Sequence, residues 1–134
     1  MAKILVVEDE EILLTALTEE LLQEGFEVVG AKDGMEGVEK AASEKPDLIL
    51  LDLVMPRLDG IGALKQMKEN ETTKEIPVVI LTNLSDYDKV SDALALGAMD
   101  YLVKANYRLE ELINKIKTVL ERNAAGLPAT PPVV

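Results

Sequence analysis

Four apolar runs in this chain end in residues that carry chemistry. Ile4-Leu5-Val6-Val7 leads into Glu8-Asp9-Glu10-Glu11, Leu48-Ile49-Leu50-Leu51 into Asp52, Val78-Val79-Ile80-Leu81 into Thr82, and Tyr101-Leu102-Val103 into Lys104. Gathered in one place, these ends offer carboxylates for a metal, a carboxylate nucleophile, a hydrogen-bonding hydroxyl and a cation. Clustered carboxylates repel one another unless a cation neutralises them, so Asp9 beside Asp52 calls for a metal ion. With only oxygen ligands on offer the ion must be hard. A sparse carboxylate set completed by waters and a phosphate suits magnesium, with manganese as a substitute, better than calcium. Glu10 and Glu11 have a simpler explanation, since acids favour helix N-termini through capping and the helix dipole. Taken singly, Thr82 is an ordinary β-former and Lys104 an ordinary guard on an edge strand; their joint placement gives them a role.

The elements that must position these residues alternate short apolar runs with longer helical patterns, the mark of an α/β protein with a mostly parallel sheet. Five such pairs are present, the second strand being Phe26-Glu27-Val28-Val29, whose Glu27 marks it as an edge. In a right-handed parallel sheet the strand C-termini share one edge, and ligands bind near the reversal of strand order. Placing the first and third strands side by side brings Glu8, Asp9 and Asp52 together. Leu13, Leu17 and Leu21 form a stripe on the first helix, and Leu109, Leu112, Ile113, Ile116, Val119 and Leu120 on the last, so these faces pack on the sheet. Gly25 and Gly97 stand where the first and fourth helices stop, and Pro77 marks entry to the fourth strand.

At 134 residues and 48% hydrophobic, the chain has room for one domain, expected over residues 1–123. The proline-containing segment 124–134 reads as a flexible tail or a truncated linker. No apolar run approaches the roughly 18 to 20 residues that cross a bilayer, and no secretory pattern follows Met1, so a cytoplasmic protein is expected. Cysteine is absent, which excludes disulfides and thiolate chemistry. Histidine is absent too, which removes imidazole-based triads and most zinc sites. A formal charge of −11 argues against general attraction to nucleic acid or anionic membranes.

Over residues 3 to 122 these features resemble the receiver domains of bacterial response regulators. The resemblance rests on Ile4-Leu5-Val6-Val7-Glu8-Asp9-Glu10, on Leu50-Leu51-Asp52-Leu53-Val54-Met55-Pro56 with Asp59-Gly60, on Ile80-Leu81-Thr82, and on Gly97-Ala98-Met99-Asp100-Tyr101-Leu102-Val103-Lys104. It implies the flavodoxin-like (βα)5 fold, a doubly wound five-stranded sheet of order 2-1-3-4-5. It also implies that Asp52 is the phosphoacceptor, that Asp9 and the Val54 carbonyl bind magnesium with Glu8 helping through water, and that Thr82, Lys104 and Tyr101 respond to the phosphate. The implied donor is a histidine kinase or histidine phosphotransfer protein, or a small acyl phosphate, because a chain without His cannot be the donor. The implied output surface is the fourth helix, fifth strand and fifth helix, roughly residues 86 to 122, which also offers a route to a homodimer. On this reading the domain promotes only its own phosphorylation and dephosphorylation, and is no enzyme toward an external substrate.

Three departures from the family pattern carry expectations. Lys104 is followed by Ala105 where Lys-Pro with a cis bond is usual. A non-proline cis bond costs about 2.5 to 4 kcal/mol, so either a trans bond or a strained cis bond holds that loop. Asn83 stands where a smaller residue is usual, which narrows access. Val54 and Leu84 offer no side chain to orient an attacking water, so self-dephosphorylation is expected to be slow; a phosphoryl lifetime of seconds with magnesium bound would refute this. Two other functions fit the sequence less well. A magnesium-dependent phosphatase resembling the haloacid dehalogenase group wants Asp-x-Asp after the first strand, and a flavin or nucleotide binder wants a glycine-rich phosphate loop there; four consecutive acids supply neither. The remaining alternative is the receiver portion of a longer regulator with a DNA-binding or enzymatic output domain.

Overall fold

The computed structural model describes residues 2–126 apart from Pro56, Leu84, Ser85, Asn106 and the side chain of Tyr87. In chain order the elements are β1 (Lys3–Val7), α1 (Glu11–Gln23), β2 (Glu27–Ala31), α2 (Gly34–Glu44), β3 (Leu48–Asp52), α3 (Gly60–Glu69), β4 (Val78–Thr82), α4 (Tyr87–Ala95), β5 (Asp100–Val103) and α5 (Leu109–Ala124). All strand pairs are parallel and the order is β2-β1-β3-β4-β5, as expected from the sequence. Glu27 does lie on an edge strand. The reversal of strand order falls between β1 and β3, which puts their C-terminal ends at the crevice where this topology binds ligands.

Alternation along each strand divides the core between two faces. Leu5, Val7, Ile49, Leu51, Val78 and Ile80 pack with Ala41 of α2, Leu64 and Met67 of α3, and Val90 and Ala93 of α4. Ile4, Val6, Leu48, Leu50, Val79 and Leu81 pack with Leu17 and Leu21 of α1 and with Leu112, Ile113, Ile116 and Val119 of α5. Each fully buried Leu, Ile or Val contributes about 1.5 to 3 kcal/mol, so the strands that carry the acids are the best anchored parts of the molecule.

Glycine sets two of the helix stops. Gly25 has φ of 93°, and the N–H groups of Gly25 and Phe26 donate to the carbonyls of Leu22 and Leu21. Gly97 has φ of 111°, and Gly97 and Ala98 donate in the same way to Leu94 and Ala93. This is the Schellman arrangement, in which a left-handed residue lets the chain turn back and satisfy the last carbonyls. It also explains a shift from the sequence expectation: Phe26 is used by the α1 stop, so β2 begins at Glu27 and runs to Ala31. The α5 stripe is likewise narrower than expected, because Leu109 remains 39% exposed while Leu112, Ile113, Ile116 and Val119 are buried. Residues 127–134, which include most of the expected tail, lie outside the described residues.

Candidate functional site

Each strand end is delivered to the crevice by backbone bonds that continue the sheet ladder. The Glu8 N–H donates to the Ala31 carbonyl at 2.9 Å, which keeps the chain in strand geometry for one residue past β1 and turns the Glu8 side chain inward, where it is fully buried. Asp52 ends β3 and is 2% exposed. The Lys104 N–H donates to the Thr82 carbonyl at 2.8 Å, so β5 holds Lys104 against the end of β4. The Lys104–Ala105 bond is trans, since there is no cis peptide among the described residues.

The Lys104 ammonium lies 2.8 Å from Glu8 Oε1, 3.0 Å from Asp52 Oδ2 and 3.5 Å from Glu10 Oε1. The other oxygens are held by backbone: Glu8 Oε2 accepts the Glu10 N–H at 2.9 Å, and Asp52 Oδ1 accepts the Val54 N–H at 3.3 Å. Asp9 is exposed at the mouth, and one carboxylate oxygen from each of Glu8, Asp9 and Asp52 lies within 4.8 Å of the others. Thr82 is buried, its hydroxyl donating to the Asn83 carbonyl at 3.0 Å. A groove of about 430 Å³ lined by Glu10, Ile12, Leu13, Asn83, Lys104 and Ala105 shares Glu10 and Lys104 with the cluster.

The electrostatics follow from two acids buried around one ammonium. Burial pushes the Glu8 carboxyl up to about 7, with the Asp52 charge adding to the rise and Lys104 and the Glu10 N–H opposing it. Burial raises Asp52 as well, against the pull of Lys104. Burial by itself would lower Lys104, but its contacts with Glu8 and Asp52 outweigh that and carry the ammonium up to about 12. Lys104 therefore stays charged.

Glu8, Asp9 and Asp52, with Glu10 beside them, set an excess of carboxylates against one ammonium, and a divalent cation offsets that excess. Glu8 Oε1 and Asp52 Oδ2 are buried and share the one Lys104 ammonium, and a further cation at their edge would add to that neutralisation without needing a hydrogen. The donor set, all oxygen, fits magnesium or manganese.

The structure thus brings Glu8, Asp9, Asp52, Thr82, Lys104 and the Val54 backbone to one edge, while Tyr101 stands apart. Its half-buried ring lines a separate groove with Val90, Ser91 and Leu94 of α4, and the Lys115 ammonium lies 5.4 Å from the ring centroid. Glu10 occupies the N-cap position of α1 but makes no side-chain cap; its carboxylate faces Lys104 instead, whereas Glu11 does sit in the first helical turn. Pro56 of the family motif and Leu84 beside the pocket lie outside the described residues.

Sequence reasoning quoted Asp59-Gly60 as a matching motif but missed how these residues brace the β3–α3 connection. A Cβ on Gly60 would overlap the Asp52 carbonyl and the Leu53 backbone, and the Gly60 N–H donates to the Leu53 carbonyl at 2.9 Å, so only glycine lets α3 start against the end of β3. Asp59 Oδ1 caps α3 through the Gly62 N–H, and Asp33 Oδ1 caps α2 through the Glu36 N–H. The signal was present as two Asp-Gly pairs, each a cap residue followed by a glycine at the start of a helix.

The sequence model of the response regulator receiver domain matches residues 4–117. The chain belongs to this family. The receiver domain is 40% identical over 129 residues to the alkaline phosphatase synthesis transcriptional regulatory protein PhoP of Bacillus subtilis, covering 96% of this chain and 52% of that protein. It is 45% identical over 123 residues to the response regulator ArlR of Staphylococcus saprophyticus, covering 91% of this chain and 54% of that protein. The chain therefore spans about half the length of these curated relatives. Among solved structures, a response regulator receiver domain protein of Clostridium thermocellum superposes with a TM-score of 0.86 at 30% identity, covering 95% of this chain and all of that one. The receiver domain of a sensor histidine kinase of Pseudomonas aeruginosa, with a magnesium ion coordinated in its active-site cleft, superposes with a TM-score of 0.82 at 28% identity, covering 90% of this chain and 98% of that one. This is a receiver domain of the two-component response-regulator type, and response regulators of such systems interact with histidine kinases. Among the described residues no helix is long and apolar enough to cross a membrane.

Proposed function

We propose that this receiver domain accepts a phosphoryl group on Asp52 from a phosphohistidine donor, and that the phosphate switches the α4–β5–α5 surface. The observation that carries the reading is the meeting of Asp52 with Glu8, Asp9 and Lys104 at the β1/β3 crevice. An Asp52 oxygen bonds to phosphorus as the bond from phosphorus to the donor nitrogen breaks, and the electron pair of that bond leaves with the imidazole. No proton has to be removed from the nucleophile, so the protein's work is positioning and charge.

Asp9, Asp52 and the Val54 carbonyl would hold magnesium directly and Glu8 through water; the ion supplies neutralisation of the phosphoryl oxygens when bound. Lys104 supplies the second cation, moving from Asp52 Oδ2 to a phosphoryl oxygen. Thr82 turns its hydroxyl from the Asn83 carbonyl toward the same group, and Tyr101 in the α4–β5 groove follows by changing rotamer. The result is a population shift between two packings of α4, β5 and α5. That surface then acts on an output domain, on a partner, or on a second copy. The domain acts on its own aspartate and on no external substrate, and it works in the cytoplasm.

Intact mass after incubation with acetyl phosphate and magnesium tests the reading. The parent protein gains one phosphoryl group and Asp52→Asn gains none; a parent that stays unmodified with acetyl phosphate and with a range of kinases refutes it. Val54 is apolar and half-exposed beside Asp52, in keeping with slow hydrolysis. Following the loss of the added mass after donor removal checks that expectation, which fails if the phosphoryl group is gone within seconds.

A further inference from the structure

Of the groups that would hold the cation, Val54 is carried by the irregular β3–α3 connection, and that connection is gripped from a side the acids do not touch. Asp33, the N-cap of α2, uses Oδ1 to accept the Glu36 N–H at 2.9 Å and presents Oδ2 to Nη1 of Arg57 at 3.2 Å. Arg57 has φ of 68°, a left-handed conformation that a residue with a β-carbon keeps only where its surroundings hold it. The next residue, Leu58, packs against the core and rests its carbonyl on Gly34, where any β-carbon would overlap it. The start of α2 therefore touches two successive residues of the β3–α3 connection.

The ion pair joins an Arg57 side chain that is 66% exposed to an Asp33 side chain that is 13% exposed, so solvent screens it from the arginine side and limits what it adds to folding. Its consequence is geometric. Magnesium accepts only near-octahedral ligands at short distance, and the residues behind direct ligands tune its affinity by fixing them. Asp52 is placed by β3 in the sheet, whereas Asp9 follows β1 on irregular backbone and Val54 depends on whatever fixes the β3–α3 connection.

We infer that Asp33, Gly34 and Arg57 are positioning residues for divalent-cation binding, with the N-terminus of α2 setting the path of the segment that carries the Val54 carbonyl. This rests on the magnesium reading above. It couples α2, otherwise remote from the phosphoacceptor, to metal affinity.

The test is a magnesium titration followed by backbone amide shifts, alongside the thermal midpoint in EDTA. Asp33→Asn keeps an excellent cap oxygen while removing the charge opposite Arg57, so it leaves the metal-free midpoint near that of the parent and weakens magnesium about two- to fivefold. Gly34→Ala forces the Leu58 carbonyl to move and weakens magnesium about tenfold. Asp33→Asn combined with Arg57→Gln is no weaker than either alone, as expected for one shared contact. Parent-like magnesium affinity in Asp33→Asn and Gly34→Ala overturns the inference while leaving the metal site standing. A parent that binds no magnesium, or an Asp9→Asn variant that binds it as well as the parent, overturns the magnesium reading and the inference with it.

Discussion

Glu8 shows how much of the site is decided by one residue's surroundings. Its ordinary value near 4.5 is raised to about 7 by burial, so between those values the folded protein binds a proton that the unfolded chain has released. Stability therefore falls as pH rises through that window, and it is highest below about 4.5 as far as this group is concerned. Asp52 is shifted the same way. In EDTA, urea midpoints measured from pH 5 to pH 8 should show a loss of about 1 to 3 kcal/mol in the parent, with the slope largely removed in Glu8→Gln. Magnesium, which relieves the same repulsion, should stabilise most at the alkaline end; a flat profile in EDTA would contradict the assignment. The types and strand-end positions of Glu8, Asp9, Asp52, Thr82 and Lys104 were legible in the sequence because strand C-termini in a parallel sheet share an edge. The contact of Glu10 with Lys104 was not, because local rules assign a residue at that position to the helix terminus and cannot anticipate a partner 94 residues away.

Elements were legible where their apolar pattern is set by burial on both faces, and less so where their ends are set by turns. β1, β3 and β4 were found within a residue at each end because each carries a continuous run of four apolar residues and lies inside the sheet. β2 was misplaced by Phe26, whose apolar side chain suggests a strand although its N–H closes the α1 stop. Leu109 was counted in the α5 stripe because its spacing fits the apolar pattern, and spacing alone does not reveal which members of a stripe stay exposed. The role of Gly60 at the β3–α3 junction was not legible for a related reason: it is required by the Asp52 carbonyl above it, a tertiary fact. Gly60→Ala should cost about 1 to 3 kcal/mol, because the added methyl meets backbone and not a side chain that can move aside. A chemical-denaturation midpoint within error of the parent would mean that α3 slides without penalty.

At the scale of the whole molecule, the charge of −11 bears on what the switched surface can do. Two copies approaching through α4, β5 and α5 bring like-charged bodies together, and the local pairs Lys115 with Asp100 and Lys89 with Asp86 are already made within one chain. Exposed Leu94 beside the Tyr101 groove offers such a homodimer an apolar centre. Long-range repulsion weakens as the Debye length shrinks from about 30 Å at 0.01 M salt to about 10 Å at 0.1 M, while apolar contact is not screened. Activation with beryllofluoride and magnesium should accordingly raise the mass seen by light scattering from monomer toward dimer, more completely at about 0.1 M salt than at about 0.01 M. Leu94→Glu should hold the activated protein monomeric and leave phosphorylation of Asp52 from acetyl phosphate intact, since the side chain faces away from the crevice groove. A dimer that instead dissolves as salt is added would place its strength in ion pairs exchanged between copies, and would require the Lys115–Asp100 and Lys89–Asp86 pairs to open and re-form across the interface.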